Sequence, residues 1–137
     1  MRLSSGRFAL IGALVACVAV FAALPALAGA ATKATTVTVT VNQTSEFAFK
    51  LSTKSVKTGA VTFKFSNGGM LPHDFELCSS NKGSSSANAC SGKVTPMVTP
   101  GGTATLKVTL TKAGTYEYLC TVPGHAAAGM KGLLKVS

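Results

Sequence analysis

Tyr116-Glu117-Tyr118-Leu119-Cys120-Thr121-Val122-Pro123-Gly124-His125-Ala126-Ala127-Ala128-Gly129-Met130 is the stretch that decides how this 137-residue chain is read. Its first five residues alternate, with Tyr116, Tyr118 and Cys120 on one parity, which is the period of a half-buried strand. The strand pattern stops at Cys120. Pro123 and Gly124 then let the chain turn tightly before His125, and Gly129 does the same before Met130. A thiol, an imidazole and a thioether therefore fall at Cys-x4-His-x4-Met spacing in one loop, which rejoins a strand near Lys131. A loop folded between two adjacent strands can curl around a point and aim all three side chains at it.

The same alternation recurs on either side. Val37, Val39 and Val41 alternate with threonines, Phe47, Phe49 and Leu51 follow, and Thr58-Gly59 reads as a turn. Val61, Phe63 and Phe65 form a third run that ends at the turn signal Ser66-Asn67-Gly68-Gly69. Pro72 lacks a donor and restricts Leu71, so regular pairing resumes only at His73. His73 to Cys78 reads as a strand with Phe75 and Leu77 on one face and His73 on the same parity. Residues 79–102 turn to Ser, Gly, Asn and Pro, a solvated loop with room for a short edge strand at Lys93–Val98. Leu106, Val108 and Leu110 alternate next, and Lys131–Ser137 closes the chain with Leu134 and Val136 inward. Beyond the N-terminal segment nothing holds a helical period. The pattern predicts an all-β fold, a Greek-key antiparallel β-sandwich or barrel of about seven or eight strands. Tyr116 and Tyr118 belong to its core, with their hydroxyls on backbone partners at the rim.

The organisation is that of one exported domain. Arg2 and Arg7 precede an uncharged apolar run from Phe8 to Leu24, and Pro25-Ala26-Leu27-Ala28 offers a small-residue cleavage site, so residues 1–28 read as a secretory signal peptide. An uncleaved anchor is one alternative, and Leu14-Val15-Ala16-Cys17 as a lipid-attachment motif on Cys17 is another. Residues 29–35 read as a short flexible linker and 36–137 as the folded domain. Cleavage at Ala28 leaves eleven Lys against Glu46, Asp74, Glu76 and Glu117, a formal +7, and no membrane span. The lysines are scattered and lack interleaved aromatics, which argues against nucleic acid as a partner. A lysine-covered surface suits steering toward an acidic redox protein.

Export places the domain where disulfides persist. Three cysteines remain after cleavage: Cys78, Cys90 and Cys120. Pairing Cys78 with Cys90 closes a short loop, stabilises by roughly 3 kcal/mol and leaves Cys120 free. The other pairings consume Cys120.

His73 and His125 are the only histidines in the chain. Taken singly, each candidate has an ordinary explanation: a hydrogen-bonded surface His, a flexible Met filler, a small buried Cys. Taken together, one thiolate, two imidazoles and a thioether are the donor set of a blue-copper electron-transfer site. The expected metal ligands are His73, Cys120, His125 and Met130, holding one copper ion. Such a donor set satisfies both Cu(I) and Cu(II), with the weak thioether tuning the potential.

Pro72-His73-Asp74, together with Tyr118-Leu119-Cys120-Thr121-Val122-Pro123-Gly124-His125 and Met130, resembles the cupredoxin family of small type 1 blue-copper proteins, over roughly residues 36–137. The Cys-Thr-x-Pro-Gly-His run is azurin-like, and the Pro-His start and the gap from His125 to Met130 are plastocyanin-like. The combined spacing is similar to that of rusticyanin and auracyanin. The resemblance implies a single type 1 copper and a one-electron shuttle. It also implies that His125 is the partly exposed ligand through which electrons pass, set in an apolar patch for which Leu71, Pro72, Pro123, Ala126, Ala127 and Ala128 are candidates. Asp74 takes the position where family members often carry an amide that ties the two ligand loops together.

The expected function is an exported, monomeric, non-enzymatic one-electron carrier, secreted, periplasmic or bound to the cell envelope. The alternative is a copper-binding or delivery protein without a dedicated redox partner, against which stands the shortage of exposed Met and His. A multicopper enzyme needs further histidines. A metal-free sandwich leaves the shared loop unexplained, and zinc has little use for Met.

Overall fold

The computed structural model describes residues 34–137. The expected signal segment 1–28, the alternative lipid site at Cys17 and most of the expected linker 29–35 lie outside the described residues.

The described chain is all β: β1 (Thr35–Asn42), β2 (Ser45–Leu51), β3 (Ser55–Val56), β4 (Gly59–Gly68), β5 (Glu76–Cys78), β6 (Gly92–Val94), β7 (Thr103–Leu110), β8 (Gly114–Leu119) and β9 (Lys131–Val136). Two sheets form, in the orders β2-β1-β4-β7 and β3-β9-β8-β5-β6. The long strands are those in which β-branched and aromatic residues alternate with polar ones, and their apolar parity turns largely inward. Val37, Val39, Val61, Phe63 and Phe65 from one sheet meet Leu77, Tyr118 and Leu134 from the other and Phe75 just ahead of β5, all buried. At the centre the Phe75 ring lies 5.1 Å from Phe63, 5.3 Å from Phe49 and 5.5 Å from Tyr118, within the range of favourable aromatic pairs. The Tyr116 hydroxyl donates to the Lys112 carbonyl at 2.9 Å, as expected of a rim tyrosine.

The all-β sandwich is as the alternation predicts, and two features refine it. The sheets are mixed, because β1 pairs parallel with β4 and β3 parallel with β9. A parallel pair needs a crossover, and the two-residue β3 supplies it by carrying the chain into the second sheet and back before β4. The expected strand from His73 is regular only from Glu76. His73 instead makes a single antiparallel bridge to Val98, with N–H to O distances of 3.0 and 2.8 Å.

That bridge is held from one side by Asn67. The residue is fully buried, and its amide donates to the carbonyls of Leu71 and Val98 at 2.8 Å each. A buried amide with its donors satisfied fixes the local chain path. The turn that ends β4 is thereby tied to the loop before β7, and His73 is set at one end of the sandwich. Among the described residues no helix is long and apolar enough to cross a membrane.

Candidate metal centre

Cys120 directly follows β8 and is buried, with its N–H donating to the Met130 carbonyl at 3.0 Å. The loop between them is a succession of tight turns. His125 N–H donates to the Val122 carbonyl, Ala128 N–H to Gly124, and Met130 N–H to His125, at 2.9–3.0 Å. Gly124 at φ 85° and Gly129 at φ 117° take the left-handed conformations that these turns demand. The loop thus starts and ends on one hydrogen-bonded pair, Cys120 and Met130, with His125 bonded back to Met130.

Three of the four expected ligands converge. Cys120 Sγ lies 3.9 Å from His73 Nδ1 and 3.6 Å from His125 Nδ1, and the two Nδ1 atoms are 3.1 Å apart. A point equidistant from the corners of that triangle lies about 2.1 Å from each, close to ordinary metal–imidazole and metal–thiolate bond lengths of about 2.0–2.3 Å. His73 and Met130 are fully buried and His125 is half-buried. One soft sulfur, two imidazole nitrogens and a buried thioether on the same loop fit a copper ion by their chemistry.

The electrostatics are those of a site enclosed by protein. Burial pushes the Cys120 thiol up to about 11, and the backbone N–H groups of Asp74 and Val122 only partly offset it. A thiol so disposed becomes a thiolate when a cation takes the proton's place. Burial, followed by the neighbouring His73, lowers the pKa of His125 and favours the neutral ring that a metal requires.

Two carboxylates frame the centre. Asp74 Oδ1 accepts the Thr121 N–H at 2.7 Å, and its Oδ2 accepts the Thr121 hydroxyl. The acid at this position therefore does by acceptance what an amide would do by a mixed pattern. The second carboxylate, Glu46, counts in the sequence only as one of four acids, with no site role expected of it. Its Oε1 lies 2.8 Å from His73 Nε2, and it accepts the N–H groups of Met70 and Leu71 at 2.9–3.0 Å. Burial would raise its pKa, but the bonds from His73, Met70 and Leu71 outweigh it and hold the carboxyl below its ordinary value.

The surface around His125 also differs in part from expectation. Leu71, Pro72, Pro123, Ala127 and Ala128 are exposed, but Ala126 is buried, where it packs with Leu119 and the Cys78–Cys90 disulfide. A bend that brings His125 to the centre turns the next side chain inward. Phe47, grouped by parity with Phe49 and Leu51, is instead 38% exposed, and its ring meets the His125 ring edge-on at 5.1 Å. Met70 is 66% exposed. Phe47 thus joins the surface beside His125, and Met70 and Leu71 are exposed in the turn whose N–H groups meet Glu46.

An all-β sandwich carrying a thiol and two imidazoles at one end defines a class of metal-binding scaffolds. The assignment is made specific by sequence. The family of copper binding proteins, plastocyanin/azurin family, matches residues 35–137, and the chain belongs to that family. The copper-resistant cuproprotein CopI of Rubrivivax gelatinosus is 33% identical over 110 residues, which cover 72% of this chain and 66% of that protein. The chain therefore spans just under two thirds of that relative's length. Among solved structures, reduced auracyanin of Roseiflexus castenholzii is 26% identical at a TM-score of 0.59, covering 76% of this chain and 98% of that one. Rusticyanin of Thiobacillus ferrooxidans is 26% identical at a TM-score of 0.56, covering 74% and 76%.

Proposed function

We propose that the protein is a one-electron carrier in which His73, Cys120, His125 and Met130 hold a single type 1 copper. The observation that carries this is the triangle of Cys120 Sγ and the two Nδ1 atoms, whose sides of 3.1–3.9 Å suit one small ion. When bound, copper supplies a redox couple that changes by one electron without making or breaking a covalent bond. The chain's part is to keep the donors where they are through that change. The hydrogen bonds from Cys120 to Met130, from Met130 to His125 and from Thr121 to Asp74 do this, because ligands that barely move need little reorganisation. His125, half-buried beside Phe47, is the side chain through which electrons pass.

The acids lend support to an acidic partner. Asp74, Glu76 and Glu117 are buried, and the Glu46 side chain is only 14% exposed. Among the described residues the exposed side-chain charge is thus almost wholly lysine, and such a surface attracts an acidic protein through long-range steering. Work outside the cytosol is supported by the Cys78–Cys90 disulfide. Both histidines of the chain serve one centre, which favours a carrier over an enzyme.

A second reading, copper handling in metal resistance, is favoured by the name of the relative from Rubrivivax gelatinosus. Voltammetry on the copper-loaded protein separates the two. A carrier gives a reversible one-electron wave, and Met130→Leu keeps the copper with a raised potential. An irreversible wave with loss of copper on reduction favours the second reading. An unchanged potential in Met130→Leu removes Met130 from the ligand set.

A further inference from the structure

The Glu46 carboxylate is the one charged group bonded to either histidine of the centre among the described residues. Its setting is built rather than incidental. It takes up both backbone N–H groups of the turn that leads into His73, at Met70 and Leu71. Gly69 opens the space for it, since a Cβ there would sit 2.6 Å from Glu46 Oε1. The next residue, Phe47, lies edge-on to His125. The start of β2 therefore supports both imidazoles of the centre from a strand that provides no ligand.

The contact has two chemical consequences. A carboxylate can only accept, so a 2.8 Å bond to Nε2 requires His73 to carry its proton there. In the neutral ring His73 Nδ1 is then a bare lone pair, and the 3.1 Å contact with His125 Nδ1 is donated from His125. The tautomer that faces the metal is selected before any metal binds. A carboxylate on the far nitrogen also pushes electron density through the ring, which raises the ligand's basicity. More basic ligation favours the more highly charged Cu(II) over Cu(I).

We propose that Glu46 is a positioning residue that fixes the Nε2–H tautomer of His73 and lowers the reduction potential of the copper centre by stabilising Cu(II). This rests on the type 1 copper reading above. Glu46→Gln keeps the shape and one acceptor but removes the charge, and Glu46→Ala removes both.

The test compares wild type, Glu46→Gln and Glu46→Ala by redox titration after loading with Cu(II), and by 15N NMR of the histidine rings in the metal-free protein. In wild type the expected form of His73 is Nε2–H, and Glu46→Ala mixes the two tautomers. In Glu46→Gln the intense visible band persists, and Cu(II) binding weakens about tenfold relative to Cu(I), which is an upward shift of about 59 mV for one electron. An unchanged potential in a blue Glu46→Gln protein overturns the inference. So does an Nδ1–H form of His73 in wild type, a measurement that stands even if the variants do not fold. A wild-type protein without the visible band fails the copper reading instead, and the NMR result then still decides the tautomer.

Discussion

The residue that follows His73 grips the residue that follows Cys120. Asp74 accepts both the backbone N–H and the hydroxyl of Thr121, across 47 positions of sequence and between two loops that share no other charged link among the described residues. Asp74 is 4% exposed, and both of its carboxylate oxygens bond to this one neighbour. The bonds set the spacing of imidazole and thiol directly, because each partner is covalently adjacent to a candidate ligand.

Asp74→Ala should therefore destabilise the metal-free protein by about 2 kcal/mol, the range for hydrogen bonds to a charged group. Denaturant unfolding measures it. Asp74→Asn, which keeps one acceptor oxygen, should lose about half as much. Copper should also leave the alanine variant faster, and equal release from all three proteins would mean that the clasp does not position the ligands.

Met70→Lys tests the surface. Met70 is 66% exposed, so the substitution should cost little stability and leave the visible band intact. A charge in the turn that leads into His73 should repel a second copy of the same basic chain, and electron self-exchange should slow by about tenfold or more. Line broadening in mixtures of oxidised and reduced protein reports the rate. An unchanged rate would place the contact surface elsewhere.

Glu117 gives a prediction independent of copper. Its side chain is 3% exposed, Oε1 has no hydrogen-bond partner, and residues 81–83 lie along β8 beside it. Burial raises its pKa above the ordinary 4.5, against the weaker pull of Lys131. A carboxyl raised in the folded state binds a proton on folding, so stability falls as pH climbs from the unfolded value through the folded one. The penalty is then complete above the folded value. Glu117→Gln should raise the melting temperature of the metal-free protein at pH 7, and the gain should vanish below about pH 4. A gain that is the same at both pH values would show that the charge is not the cause.

The strand alternation was enough to read the sandwich, because a period of two survives in any one strand without knowledge of its neighbours. The loop from Cys120 to Met130 was legible for a related reason: its glycines, proline and candidate ligands are local, and the turns they make are local. Glu46 and Phe47 were not legible. Their roles depend on where β2 lies relative to the 69–72 turn, which is a matter of sheet order. Parity grouped Phe47 with Phe49 and Leu51, but parity cannot say where a strand passes the edge of its partner sheet. One signal did exist. In a chain with four acids, a lone Glu between Thr44 and Phe47 is conspicuous, and three of those acids prove to be buried. The parallel pairing of β1 with β4 was hidden because two residues, Ser55 and Val56, carry the crossover.

His73, Cys120, His125 and Met130 are proposed to form one type 1 copper centre. The most direct measurement is the visible and EPR spectrum of the reduced protein after addition of one equivalent of Cu(II), recorded beside Cys120→Ser. Wild type should show an intense thiolate-to-copper band and Cys120→Ser should be colourless. A wild-type protein with Cys120 intact that binds Cu(II) without that band would contradict the account.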